Sequence, residues 1–259
     1  MIADVLDMER YLGPVMPAQH GIGVLAPFDF ALDRELWRWM PADVSLHLTR
    51  LPFVPVPVTV EMATQLGDAE AVHRATRDVL APEPRVVAFS CNSASFVGGP
   101  EGEHALVQTM LEAGAPAAVT TSGALIDACR MLGVRRLAIA TPYLASITER
   151  LLRFLLDFDI EPVSAVDLGL NDRIWRVSYP EIVAVALAAD RPDADAVFLA
   201  CTNLPTYDLI APLERMLGKP VLTANQVTMW AVLRALHSEA QVAEQGDQRL
   251  VQVSRPSAA

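Results

Sequence analysis

Val86-Val87-Ala88-Phe89-Ser90-Cys91-Asn92-Ser93 is a short apolar run that ends abruptly in a thiol, an amide and a hydroxyl. Four consecutive apolar residues suit a strand covered on both faces, which is the habit of parallel sheets. A second stretch is built alike: Ala196-Val197-Phe198-Leu199-Ala200 runs into Cys201-Thr202-Asn203. Two buried strands that end in cysteine and small polar residues set the fold class and the candidate site together.

Further apolar runs lie around these two, at Gly21–Ala26, Val44–Leu51, Ala117–Thr120, Leu137–Ala140, Glu161–Asp167 and Pro220–Leu222. With Arg85–Ser90 and Ala196–Ala200 they predict eight strands. Longer amphipathic stretches separate them. In Ser146–Asp157, Ile147, Leu151, Phe154 and Leu155 fall at helical spacing. Regular alternation of strand and helix predicts a doubly wound α/β architecture.

The chain also repeats itself. A strand runs into Pro27-Phe28 and another into Pro142-Tyr143; strands run into Cys91 and Cys201; Gly114-Ala115-Pro116 and Gly218-Lys219-Pro220 precede strands. These pairs are 115, 110 and 104 residues apart. Three matches in one order at nearly constant offset predict two similar halves related by a pseudo-two-fold axis. The expected division is residues 1–133 for the half carrying Cys91, with the C-terminal helix able to join it, and 134–240 for the half carrying Cys201. Residues 241–259 read as a polar tail. Ligands of such sheets bind beyond the carboxyl ends of the strands, so both cysteines are expected to face one cleft.

Composition narrows the function classes. The formal net charge is -11, which leaves no basic excess for nucleic acid. An anionic substrate would have to be held by local donors. The first ten residues show no basic start and apolar core of a secretory leader. No apolar run reaches the length of a membrane span. A cytoplasmic protein without membrane contact is expected. Three cysteines are not a disulfide framework in that setting. No CxxC or HExxH spacing occurs, so no metal site is expected.

Cys91 and Cys201 are the candidate catalytic pair. A turn into a helix start would aim backbone N–H groups at each site, hold a carboxylate there and favour thiolate. A thiolate can remove a proton or attack carbon, and a facing thiol can return the proton. Cys129 lies within a helix and reads as packing. Tyr143, at a strand end, can donate to a substrate oxygen. Asn171 is either a substrate-side amide or a turn residue. Arg50, Asp29 and His104 read as surface or helix-start residues.

Ser90-Cys91-Asn92-Ser93, Ala200-Cys201-Thr202-Asn203-Leu204, Ala140-Thr141-Pro142-Tyr143 and Leu132-Gly133-Val134-Arg135-Arg136 together resemble the aspartate/glutamate racemase superfamily, and within it the maleate cis–trans isomerase and arylmalonate decarboxylase branch. The resemblance runs from about Gly21 to Leu236. It implies a cofactor-independent enzyme acting on a small carboxylate. Cys91 would add to an alkene carbon and Cys201 would assist by proton transfer. Asn92, Ser93, Tyr143 and Thr202 would line the carboxylate pocket, with Asn171 and Phe28 as further substrate contacts. Racemases of the superfamily use both cysteines for proton transfer on opposite faces of one carbon. Arylmalonate decarboxylases keep only the second, so Cys91 points away from that activity. A non-catalytic two-lobed binding protein is the rival outside enzymology. Homo-oligomers are common among such enzymes, although no interface can be read from the sequence. One loop departs from the maleate isomerases: where they carry an asparagine, this chain has Pro27-Phe28-Asp29-Phe30. Phe28 or Phe30 would enclose a bulkier substrate, and an inward Asp29 would repel a carboxylate.

Overall fold

The computed structural model describes residues 19–236 and 248–253. All eight expected strands are present: β1 (His20–Ala26), β2 (Val44–Arg50), β3 (Val86–Phe89), β4 (Ala118–Thr120), β5 (Arg136–Thr141), β6 (Glu161–Asp167), β7 (Ala196–Leu199) and β8 (Val221–Thr223). They form two four-stranded parallel sheets, ordered β2-β1-β3-β4 and β6-β5-β7-β8. The second order repeats the first, so the repeat read from the sequence is a repeat of topology.

The helices in chain order are α1 (Asp33–Trp37), α2 (Val60–Leu66), α3 (Ala69–Val79), α4 (Asn92–Phe96), α5 (Gly99–Glu112), α6 (Thr121–Leu132), α7 (Ala145–Leu156), α8 (Tyr179–Ala189), α9 (Ile210–Leu217), α10 (Ala224–Ala235) and α11 (Arg249–Val253). Helix α7 lies one residue before the expected Ser146–Asp157. The matched glycines Gly114 and Gly218 have φ of 105° and 72°. That is a left-handed turn which glycine enters without the penalty of a Cβ.

Covering both faces explains the unbroken apolar strands. Val86 and Ala88 of β3 pack into one cluster, whereas Val87 and Phe89 pack into the other. The first cluster joins Ile22, Val24 and Val86 to Leu36 and Trp39, and also to Met229, Val232 and Leu233 of α10. Helix α10 follows β8 in sequence but covers the first sheet, and it packs on α6.

The stretch expected to be a polar tail differs in its described part. Residues 249–253 form α11, and Leu250 is fully buried in the main core. Buried Gln248 accepts from Gln226 at 2.8 Å and from the Trp39 indole at 3.4 Å. Alternating polar and apolar residues hid this helix, which is only five residues long. Residues 241–247 and 254–259 lie outside the described residues, as do the first ten residues used to exclude a leader. Among the described residues no helix is long and apolar enough to cross a membrane.

Candidate active site

In each sheet the chain reverses its winding between the first strand and the third, β1 and β3 in one and β5 and β7 in the other. The carboxyl ends of these strands are where open α/β sheets bind ligands. Pro27 and Asp29 follow β1, and Cys91, Asn92 and Ser93 follow β3. Tyr143 follows β5, and Cys201, Thr202 and Asn203 follow β7. All nine line one pocket, together with Val58, Met62 and Ile174. The two thiols therefore share a pocket, each supplied by a different sheet.

The loops are locked together. The Asn92 carboxamide oxygen accepts the Cys201 backbone N–H at 3.0 Å. Ser122, in the first turn of α6, donates to the Asn92 carbonyl at 3.3 Å. Asn225, in the first turn of α10, donates to the Thr202 carbonyl at 2.9 Å. The same brace thus occurs behind each cysteine. Asn225 and Thr206 also donate to buried Glu35 at 3.0 and 3.1 Å. This carboxylate joins α1 to the Cys201 loop.

Cys201 has φ of 83°, a backbone region that costs a non-glycine residue roughly 1–3 kcal/mol. Its sulfur accepts the Asn203 N–H at 3.3 Å. The Tyr143 hydroxyl lies beside Ser93 and the Cys201 thiol, where it favours the thiolate of Cys201. Cys91 and Ser93 side chains are 3.9 Å apart.

The expected activation of the thiols at rest is not found. Burial pushes both Cys91 and Cys201 up to about 12 from an ordinary value near 9, outweighing the hydrogen bonds that would lower them. Cys91 does precede a helix, but α4 has only five residues. Cys201 enters a turn rather than a helix. The pocket is narrow, with a cavity of about 20 Å³, enough for a single water. The resting site therefore holds protonated thiols. Burial likewise pushes the Tyr143 phenol well above its usual value.

Of the other expected contacts, Asn92, Ser93, Tyr143 and Thr202 are buried around the pocket. Phe28 and Asn171 are not among its lining residues. The Phe28 ring packs edge-on against exposed Phe53, centroids 5.1 Å apart. Asn171 is exposed, and only its backbone reaches the site: its carbonyl accepts the N–H of lining residue Val58 at 2.8 Å. Asn203 and Asp29 also line the pocket, beyond the residues expected there, and Asn203 stands within the second cysteine motif, two positions after Cys201. Cys129 is buried in α6, away from the pair, as packing requires. Arg50 pairs with Asp33 at 2.8 Å.

A larger groove of about 890 Å³ lies between β4, α6 and α10, lined by Val107, Val119, Asp127, Arg130 and Trp230 among others. Size does not make it the reactive site: no thiol lines it, and its one hydroxyl–carboxylate contact among the described residues, Thr120 donating to Glu103, belongs to the cap of α6, where the same Thr120 oxygen accepts the Gly123 N–H. Among the described residues no cluster of His, Cys, Asp and Glu could hold a metal ion.

Comparison with known proteins agrees with this arrangement. The chain is 33% identical over 202 residues to arylmalonate decarboxylase of Bordetella bronchiseptica, covering 75% of this chain and 84% of that protein. It is 30% identical over 236 residues to maleate isomerase of Nocardia farcinica, covering 88% and 90%. A crystal structure of arylmalonate decarboxylase superposes with a TM-score of 0.76 at 28% identity, covering 90% of this chain and 99% of that one. Nocardia farcinica maleate cis–trans isomerase bound to Tris superposes with a TM-score of 0.78 at 26% identity, covering 90% and 97%. The arylmalonate decarboxylase family profile matches residues 61–251, a span that contains both cysteines, and the chain belongs to that family of enzymes.

Proposed function

We propose that this enzyme is a cofactor-independent isomerase of the maleate isomerase type, acting on a small unsaturated carboxylic acid through Cys91 and Cys201. The observation that carries the reading is the single pocket lined by two thiols from equivalent strand ends, with the Tyr143 hydroxyl against one of them. The division at Gly133 belongs to the same proposal, since each half then brings one thiol.

As substrate opens the pocket, the Cys91 thiol gives its proton to solvent, and the pair then holds one proton, on Cys201. The Cys91 sulfur bonds to one alkene carbon, and the π pair takes the Cys201 proton at the other. Rotation about the resulting single bond follows. The Cys201 thiolate then withdraws the proton, the double bond re-forms, and the carbon–sulfur bond breaks. Charge that develops on the substrate carboxylate is met by Ser93, Tyr143 and backbone N–H groups, which are already oriented. Protonated thiols at rest limit reaction with other electrophiles until substrate opens the site. Reduced thiols at both positions suit a cytoplasmic enzyme.

Maleate, substituted maleates and maleamate incubated with the protein and followed by proton NMR test the reading. Conversion to the trans isomer, abolished in Cys91→Ser, is expected. No conversion across the panel with titratable free thiols would reject it.

A racemase is the second reading, favoured by the same opposed thiols. Deuterium uptake at a substrate α-carbon in heavy water, lost in both Cys91→Ser and Cys201→Ser, would establish it instead. Decarboxylation ranks lower because Cys91 is present, and CO₂ release from aryl malonates tests it.

A further inference from the structure

Asp29 is the one acidic side chain lining the cysteine pocket among the described residues, and no Lys, Arg or His lines it. Its place is fixed by the Cys201 loop. The Asn203 carboxamide donates to the Asp29 carbonyl at 3.0 Å and accepts the Ala31 N–H at 2.9 Å. This clamp staples the turn after β1 to the loop after β7. Arg50 bonds to Asp33 at 2.8 Å and to the Phe30 carbonyl at 3.2 Å rather than to Asp29, although its charge still favours the ionised Asp29 carboxylate. Asp29 acts on both reactive groups, its charge opposing thiolate formation at Cys91 and at Cys201. Burial also raises its own carboxyl above the ordinary range.

The pocket therefore has two unlike ends. Ser93, Tyr143 and the backbone at Cys91 offer donors to one carboxylate. Asp29 offers an acceptor and, when ionised, a negative charge. A short substrate with two carboxylates sets its second anion against Asp29 in a narrow, largely buried site, where like charges are poorly screened. A substrate whose far end carries a carboxamide, amine or hydroxyl instead meets a hydrogen-bond acceptor. Charge-assisted bonds of this kind are stronger than neutral ones.

We propose that Asp29 is the specificity-determining residue of this site, excluding dicarboxylates and selecting acids with one carboxylate and a hydrogen-bond donor a few atoms away. The inference rests on the paired-thiol reading and narrows its substrate class.

The test compares maleamate with maleate, and the saturated pair succinamate with succinate, on the wild-type protein and on Asp29→Asn. Binding is read as protection of Cys91 and Cys201 from iodoacetamide, located by mass spectrometry, and turnover is read by NMR. The wild-type protein is expected to be protected by the half-amides at concentrations at least about tenfold below those needed of the diacids, and Asp29→Asn to lose or reverse that ratio. Equal protection by both classes in the wild type overturns the proposal, and so does an unchanged ratio in Asp29→Asn. If Asp29→Asn does not fold, Asp29→Glu takes its place. It keeps the charge and should keep a preference of the same sign, and its loss overturns the proposal. Selective protection by half-amides without turnover of any acid leaves the role of Asp29 standing and removes the isomerase reading. Equal turnover of maleate and maleamate does the opposite.

Discussion

The carboxamide oxygen of Asn92 accepts the backbone N–H of Cys201 at 3.0 Å, so the residue after one cysteine fixes the backbone of the other. Both groups are buried. Asn92→Ala strands that N–H without an acceptor, a loss of about 1–3 kcal/mol. Urea denaturation should show this destabilisation, and alkylation of Cys201 should speed up relative to Cys91. Equal acceleration at both thiols would show that the bond does not position Cys201 selectively.

The left-handed backbone of Cys201 (φ 83°) makes an unusual ordering of variants. Cys201→Ala keeps the strain and loses the thiol. Cys201→Gly also loses the thiol but relieves the strain. The glycine variant is expected to be more stable than the alanine variant by roughly 1 kcal/mol, despite glycine's larger unfolded-state entropy. Both should be inactive. Matched urea midpoints measure the difference, and an alanine variant at least as stable would refute the strain.

Tyr143 is fully buried and packs edge-on to Phe96, centroids 6.3 Å apart. Tyr143→Phe retains that packing and removes only the hydroxyl between Ser93 and Cys201. Turnover should fall on the order of 10²-fold while the thermal midpoint moves little. A collapse of the midpoint would make the tyrosine's role structural.

Three buried thiols, Cys91, Cys129 and Cys201, are each raised to about 12 from 9.0. The folded state therefore disfavours their ionisation. The stability this gives is complete below pH 9 and is lost as pH rises towards 12. Between pH 8 and 10 each thiol should cost about 1.4 kcal/mol of stability. Cys129→Ala, which leaves the site intact, should flatten that slope by one thiol's share. Iodoacetamide should react slowly with the resting protein at pH 8.

The architecture was legible because buried parallel strands need no alternation: Val86–Phe89 and Ala196–Leu199 could hardly be anything else. The thiol pair was legible because the repeat placed both at strand ends. Asp29 was not, since its meaning depends on Asn203, 174 residues away, turning the β1 loop inwards. Nor was the outward turn of Phe28, which answers to Phe53 on a separate loop. Asn171 reaches the site through its carbonyl, and any residue has a carbonyl. Contacts between loops leave no periodicity in a sequence. The depth of the thiols was equally hidden, because it depends on how Val58, Met62 and Ile174 pack around them.

Helix α10 lies against the first sheet although it follows the last strand of the second. A ribosome making this chain completes the four strands around Cys91 more than a hundred residues before the helix that shields them emerges. Until then Ile22, Val24 and Val86 face water or a chaperone. The two sheets must consequently mature together, and a fragment ending near Gly133 should be insoluble without the remainder supplied in trans.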